Sequence, residues 1–176
     1  MRKSFARRLK DKRILVAPGI FDMMSLRIAD AMEFEALYVT GYGVAASYLG
    51  LPDAGIATYT EMVGRVAAMS AMAATPLIAD GDTGYGGLLN VRRTVRGYEA
   101  AGAAAIQLED QEFPKKCGHT PGRRVVPLDD MRRRIEVAVE ARSDPEFLIV
   151  ARTGCARRTW AGRSASAWRG LCQGRR

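Results

Sequence analysis

The chain has few residues of the kinds that build disulfide frameworks or zinc sites. Its 176 residues include three cysteines and one histidine. Because the cysteines are odd in number and scattered along the sequence, neither a disulfide framework nor a paired zinc motif is expected. This cysteine usage is typical of a reducing compartment, and we predict a cytoplasmic protein.

Long apolar runs and nucleotide-binding glycine motifs are also lacking. No apolar run is long enough to cross a bilayer, and the first eight residues lack the apolar segment of a secretory signal. Neither GxGxxG nor GxxxxGK[ST] follows the first predicted strand, which disfavours a nucleotide-binding fold. The sequence therefore predicts a globular protein with no membrane partner.

Acidic residues are missing from the C-terminal stretch. The formal net charge is +8, and residues 154–176 contribute six arginines and no acid, so residues 1–153 are nearly neutral. Charge confined to a tail without apolar periodicity gives only unspecific, salt-sensitive attraction to polyanions. A nucleic-acid partner is therefore not expected.

Five short apolar runs alternate with helical patterns along the rest of the chain. Strands are predicted at residues 14–17, 36–39, 77–79, 104–108 and 147–150. Helices are predicted at residues 4–10, 23–32, 60–73, 90–100 and 128–142. This alternation predicts an α/β protein with parallel strands, arranged as a doubly wound sheet or as a TIM-type (β/α)₈ barrel.

The predicted helices carry local signals of their ends and faces. Thr60 and Asn90 are expected to cap the third and fourth helices. Periodicity turns one set of side chains in the last two helices toward the core, namely Val91, Val95, Tyr98, Met131, Ile135, Ala138 and Val139. Each helix should therefore pack one apolar face against the sheet.

Polar or turn residues follow every predicted strand. In a barrel the carboxyl ends of the strands meet at one mouth, so Asp80, Asp82, Glu109 and Arg152 would become neighbours. Oxygen ligands of this kind suit Mg²⁺, which usually takes one or two protein carboxylates. Taken alone, the DxD pattern would be a solvated turn, but three acids at strand ends favour a metal site. By position, Arg152 is equally a structural ion-pair partner or a cation that holds a carboxylate or a developing oxyanion.

The segment PKKCGH lies in a loop, residues 111–127, that follows the fourth predicted strand. In an arbitrary protein it would be a solvated basic turn. Beside a barrel mouth, the cations Lys115, Lys116 and His119 would lower the pKa of the Cys117 thiol. We interpret the loop as a lid that delivers a thiol proton to a carbanion-like product.

Five segments together resemble the isocitrate lyase/phosphoenolpyruvate mutase superfamily over nearly all of residues 14–153. They are PGIFDMMS, YVTGYGVAASYLGLPDAG, ADGDTGYGG, GAAAIQLEDQEFPKKCGH and LIVART. PKKCGH is similar to the lyase branch that includes 2-methylisocitrate lyase. The resemblance implies a (β/α)₈ barrel, usually a homotetramer, that binds Mg²⁺ and cleaves or forms a C–C or P–C bond in a small carboxylic acid.

The resemblance also implies roles for individual residues. Asp80, Asp82 and Glu109 would hold Mg²⁺, and Arg152 would neutralise an enolate-like intermediate. Cys117, flanked by Lys116 and His119, would protonate the departing carbanion. The substrate would be contacted by Tyr38, Thr40, Gly41, Asp53 and Gly118, although the family often has serine at the position of Thr40, and Asp53 on the residues alone is equally a turn residue.

The resemblance ends at Thr153, where the family pattern ARTDAR is replaced by ARTGCARR. We predict that residues 1–153 are the first five β/α units of the barrel, carrying the Mg²⁺ site, and that a frameshift produced the arginine-rich residues 154–176. The expected activity is that of a Mg²⁺-dependent C–C lyase on a small 2-hydroxy or 2-oxo di- or tricarboxylic acid. The alternatives are a phosphonomutase or oxaloacetate decarboxylase of the same superfamily, and a non-catalytic fragment.

Overall fold

A computed structural model of the protein describes residues 2–11, 13–118 and 120–154. The six helices of this part are α1 Arg2–Arg8, α2 Met23–Asp30, α3 Gly41–Val44, α4 Tyr59–Met72, α5 Leu88–Ala100 and α6 Leu128–Ala141. Its five strands are β1 Gly19–Ile20, β2 Leu37–Val39, β3 Leu77–Asp80, β4 Ala105–Glu109 and β5 Leu148–Arg152. His119 and residues 155–176 lie outside the described residues.

The five strands form one parallel sheet in the order β1-β2-β3-β4-β5. A doubly wound sheet would reverse its strand order at a switch point, and no reversal occurs within this sheet. Consecutive parallel strands with helices between them are the arrangement of a (β/α)₈ barrel. The predicted fold class and its first five β/α units are confirmed.

The main core lies between the sheet and helices α2, α4, α5 and α6. Val91, Val95 and Tyr98 of α5 are fully buried, as the periodicity predicts. In α6, Met131 and Ala138 are buried and Ile135 packs against the core. The prediction was wrong for Val139, which is 41% exposed because it lies at the margin of the apolar face.

The first strand is the element that the sequence misplaced. Residues 14–17 were predicted as β1, yet pairing with β2 begins only at Pro18, whose carbonyl accepts a hydrogen bond from the Tyr38 amide at 2.9 Å. The segment is extended but has one-sided burial: Ile14 is 87% exposed, whereas Leu15 packs against a small apolar cluster around Phe5. The apolar run predicts a strand, but it does not show which residues form backbone hydrogen bonds with β2.

Both predicted helix caps were also wrong. Helix α4 is capped two residues before Thr60, at Thr58, whose hydroxyl accepts from the Glu61 amide while the Glu61 carboxylate accepts from the Thr58 amide at 2.7 Å. This reciprocal capping box satisfies two amides, which a cap at Thr60 would leave unpaired. Helix α5 follows Gly87 without a side-chain cap, so Asn90 lies within its first turn.

A short helical segment after β2 had no sequence signal. Helix α3 and the following π-helical turn Ala45–Leu49 are capped at their start by Thr40, whose hydroxyl accepts from the Gly43 amide at 3.3 Å. The helix begins at the carboxyl end of β2, so the Gly41 amide faces the end of β3. Within the described part of the chain, no helix combines the length and apolar character required to cross a membrane.

Candidate active site at the carboxyl ends of the strands

Parallel pairing brings the predicted site residues to one edge of the sheet. Glu109 at the end of β4 is in register with Arg152 at the end of β5. Asp80 at the end of β3 is in register with Gln107, whose amide donates to the Tyr38 hydroxyl of β2 at 2.7 Å. Four strands thus contribute polar groups to a single surface, as expected for the mouth of a barrel.

The Asp80 carboxylate is held between two elements by backbone amides. Its Oδ2 accepts from the Gly41 amide at 3.2 Å, and its Oδ1 accepts from the Asp82 amide at 3.0 Å. A Cβ on Gly41 would lie only 3.0 Å from Oδ2, so a side chain there would crowd the carboxylate. Gly41 therefore contributes through its amide and its small size.

Lys115 is buried between two carboxylates. Its Nζ lies 2.7 Å from Oδ1 of Asp53 and 3.3 Å from Oδ2 of Asp82, and the side chain is 6% exposed. Burial alone would lower the pKa of Lys115, but the charges of Asp82, Asp80 and Asp53 more than compensate and raise it. The lysine is therefore held as an ammonium group inside the site.

Burial acts in the opposite sense on the acids of this cluster. It raises the pKa of Asp82 to about 6, with Lys115 opposing and Asp80 and Glu109 adding to the rise. Burial likewise raises the pKa of Glu109, against the charge of Arg152. An added cation would therefore stabilise the charged forms of Asp82 and Glu109, which burial disfavours.

Two oxygens of these acids have no hydrogen-bond partner among the residues that the structure describes. Glu109 accepts through Oε1 from the Gln111 amide at 3.0 Å, whereas its Oε2 has only the charge of Arg152, whose Nε lies 3.5 Å away. Oδ1 of Asp82 is likewise buried and without a hydrogen bond. Buried carboxylate oxygens of this kind are normally bonded, so each marks a position where a ligand would be stabilised.

A second layer of residues, to which the sequence analysis gave no role in the site, fixes the backbone of the site. The Tyr98 hydroxyl donates to the Asp80 carbonyl at 3.1 Å and lies 2.9 Å from the Tyr85 hydroxyl. Arg134 of α6 donates to the Glu109 carbonyl at 2.7 Å. Only the folded structure reveals these partners, because each contact joins residues distant in sequence.

The loop between β4 and α6 lies against the site. The Gln111 side chain accepts from the Lys116 backbone amide at 3.1 Å and donates to the Lys116 carbonyl at 3.0 Å. A Cβ on Gly118 would lie 2.8 Å from Nη2 of Arg152, so this part of the loop covers the arginine. Cys117, next to Gly118, is partly exposed.

The predicted residues differ in how closely the structure brings them together. Asp53, Asp80, Asp82, Glu109 and Arg152 lie in one cluster with Lys115, which the sequence analysis had assigned only to the charge of the loop. Lys116 has an exposed side chain, and its proposed catalytic role stays a prediction, as do the roles of Cys117 and Gly118. The same holds for Tyr38, in which burial raises the hydroxyl pKa, and for Thr40, which caps α3.

Replacing Lys115 by methionine should destabilise the protein strongly. The change leaves Asp53 and Asp82 charged and unpaired in a buried position, and breaking such a pair costs about 3–5 kcal/mol. Denaturant unfolding of the 176-residue chain measures this loss. Lys116→Met is the control, expected to change stability by less than about 0.5 kcal/mol, and equal effects of the two variants would contradict the buried ion pair.

The sequence profile of the phosphoenolpyruvate phosphomutase family matches residues 5–168 of the chain. The chain belongs to this family. It is 50% identical over 163 residues to 2,3-dimethylmalate lyase of Eubacterium barkeri and 47% identical over 148 residues to 2-methylisocitrate lyase of Aeropyrum pernix. These matches cover 93% and 84% of this chain and 56% and 47% of the two relatives.

Solved structures of family members superpose closely on the protein. A crystal structure of 2,3-dimethylmalate lyase gives a TM-score of 0.90 at 38% identity, covering 97% of this chain and 58% of that one. Phosphonopyruvate hydrolase in complex with oxalate and Mg²⁺ gives 0.87 at 28% identity, covering 98% and 59%. The chain therefore spans about half the length of its relatives in a family of lyases and mutases.

Proposed function

We propose that this family member is a Mg²⁺-dependent carbon–carbon lyase that acts on a small 2-hydroxy di- or tricarboxylic acid, as its relatives' names suggest for them. The observation that carries the proposal is the pair of unbonded carboxylate oxygens, Asp82 Oδ1 and Glu109 Oε2, beside the guanidinium of Arg152. Such a site has separate places for a cation and for an anion.

The residues present suit Mg²⁺. Asp80, Asp82 and Glu109 supply hard oxygen donors, and the two unbonded oxygens are available for a cation or its bound water. Within the described ranges, no three His, Cys, Asp or Glu side chains are already grouped to hold a metal ion. Mg²⁺ usually takes only one or two protein carboxylates, and when bound the ion would polarise the substrate oxygens.

Different protein groups would then act at different steps of the reaction. The hydroxyl proton of the substrate would pass to the carboxylate of Asp53, the hydroxyl carbon becomes a carbonyl, and the adjacent C–C bond breaks. Its electron pair leaves with the second acid as a carbanion, which takes a proton from the thiol of Cys117. Arg152 offsets the negative charge that develops on the oxygens.

Product analysis distinguishes the candidate activities. Dimethylmalate, methylisocitrate, oxaloacetate and phosphonopyruvate are supplied with Mg²⁺ to protein extended to the length of its relatives. A lyase yields two carbon acids from a hydroxy acid, whereas a phosphonomutase rearranges a P–C bond. The proposal fails if no hydroxy acid is cleaved while phosphonopyruvate or oxaloacetate is consumed.

Binding of Mg²⁺ should weaken below pH 6. The metal-binding form of Asp82 is the carboxylate, and its pKa of about 6 means that protons compete with the metal as the pH falls through that value. Affinity should drop about tenfold per pH unit below 6 and be nearly constant above it. Calorimetric titration at several pH values checks this, with binding by Asp82→Asn expected to be weak and less dependent on pH; an unchanged wild-type affinity at pH 5 would contradict the assignment.

The boundary at Thr153 and the oligomer belong to the same proposal. We propose that residues 154–176 arise from a change of reading frame, which the nucleotide sequence around codon 153 tests directly.

We also propose a homotetramer for the extended protein, measured by size-exclusion chromatography with light scattering. A monodisperse, cooperatively unfolding 176-residue chain would count against the alternative of a non-catalytic fragment.

A further inference from the structure

Two guanidinium groups flank the same point on the loop over the site. A Cβ on Gly118 would lie 2.8 Å from Nη2 of Arg152 and 4.0 Å from Nη1 of Arg123. The distance between Nη2 of Arg152 and Nη1 of Arg123 therefore cannot exceed the sum of these two distances. Like charges this close repel each other unless an anion lies near both.

The counter-charges available do not explain this arrangement. Arg152 has Glu109, and the neighbouring Arg124 is paired with Glu112 at 2.7 Å on the surface. Arg123 is partly buried and makes no hydrogen bond or ion pair with the described residues. Lys116 also has no acidic partner among the described residues, but its side chain is exposed, whereas Arg123 lies beside Arg152.

Asp110 is not that partner. A Cβ on Gly154 would lie 3.7 Å from both Nη1 of Arg123 and Oδ1 of Asp110, so the two groups share a neighbourhood. However, Oδ1 of Asp110 accepts from the Gly154 amide at 2.8 Å, and Oδ2 accepts from the Thr153 hydroxyl. These bonds direct the carboxylate to the end of β5 and leave Arg123 with donors to spare.

A small anion has room to reach Arg123. The residue borders a cavity of about 280 Å³ next to the loop, whose charged lining residues are Glu112, Lys116, Arg123 and Arg124. Three of these four side chains are cations, so the cavity favours acids over neutral solutes.

We infer that Arg123 binds the second carboxylate of a dicarboxylic substrate, at the end of the site away from Asp80 and Asp82. The inference rests on the proposed function, which places the first carboxylate and the hydroxyl at the metal end. A guanidinium can grip a carboxylate through two parallel N–H bonds, and Arg152 adds a second positive charge beside it. The residue then selects diacids over monoacids.

Malate and lactate form a matched pair of probes, since they share the 2-hydroxy acid end and differ in the second carboxylate. Binding is measured by calorimetry with the 176-residue chain in the presence of Mg²⁺. Arg123→Gln should weaken malate binding by about tenfold or more, the worth of one charged hydrogen-bonded contact, and leave lactate binding unchanged. Arg123→Lys should restore part of the malate affinity.

Arg13→Gln is the control, because that side chain is 73% exposed, pairs with Asp11 and does not line the cavity. It should change the binding of neither probe, and thermal unfolding verifies that both variants are folded. The inference is overturned if the wild type binds malate no more tightly than lactate, or if Arg123→Gln binds malate as the wild type does. Since the readout is binding, a failure of the lyase proposal would show separately as absent turnover.

Discussion

Replacing Asp82 by alanine should lower lyase turnover by about 10³-fold or more and weaken Mg²⁺ and substrate binding together. Asp82 supplies one of the two unbonded buried oxygens and is also a partner of Lys115. Its loss removes the counter-charge that holds a cation beside the developing oxyanion. The measurement is the dependence of turnover on Mg²⁺ concentration, in protein extended to the length of its relatives.

An exposed acid provides the matched control for this variant. Asp129 in the first turn of α6 has a side chain that is 79% exposed, and Asp129→Ala should leave turnover and metal dependence unchanged. If Asp82→Ala retained turnover within tenfold of the wild type, at the same Mg²⁺ requirement, the metal assignment would be wrong.

Replacing Cys117 by serine should separate chemistry from binding. Cys117 lies on the loop and not on the strand ends, so Mg²⁺ and product binding should be nearly intact. Turnover should fall by roughly 10²–10⁴-fold, the usual contribution of a positioned general acid, because a hydroxyl gives up its proton far less readily than a thiol.

Two measurements make this second prediction decisive. Calorimetric titration of Mg²⁺ should give the same affinity for Cys117→Ser as for the wild type, and single-turnover kinetics should show the loss in the chemical step. Near-normal turnover of the variant would mean that PKKCGH is only a basic turn. Reduced metal binding would mean instead that the loop helps to build the metal site.

Much of the fold was predictable because β/α alternation is a local pattern. The apolar runs of β2 to β5 and the burial of Val91, Val95 and Tyr98 follow from residues close together in sequence. The first strand was not predictable, because a strand is defined by its partner, and residues 14–17 are apolar but unpaired. The cap of α4 was missed for a different reason, because Thr58 and Glu61 form a T-x-x-E capping box, which is itself a local sequence signal.

The sequence by itself determined that Asp80, Asp82, Glu109 and Arg152 belong to one site, because parallel strands carry their carboxyl ends to the same edge. Only the tertiary structure decided that Lys115, rather than Lys116, is the buried lysine and that it pairs with Asp53 and Asp82. Adjacent lysines in a loop are equivalent in any sequence pattern. Which of them enters the site depends on the path of the loop, which Gln111 holds by hydrogen bonds to the backbone of Lys116 and which passes beside Arg152 at Gly118.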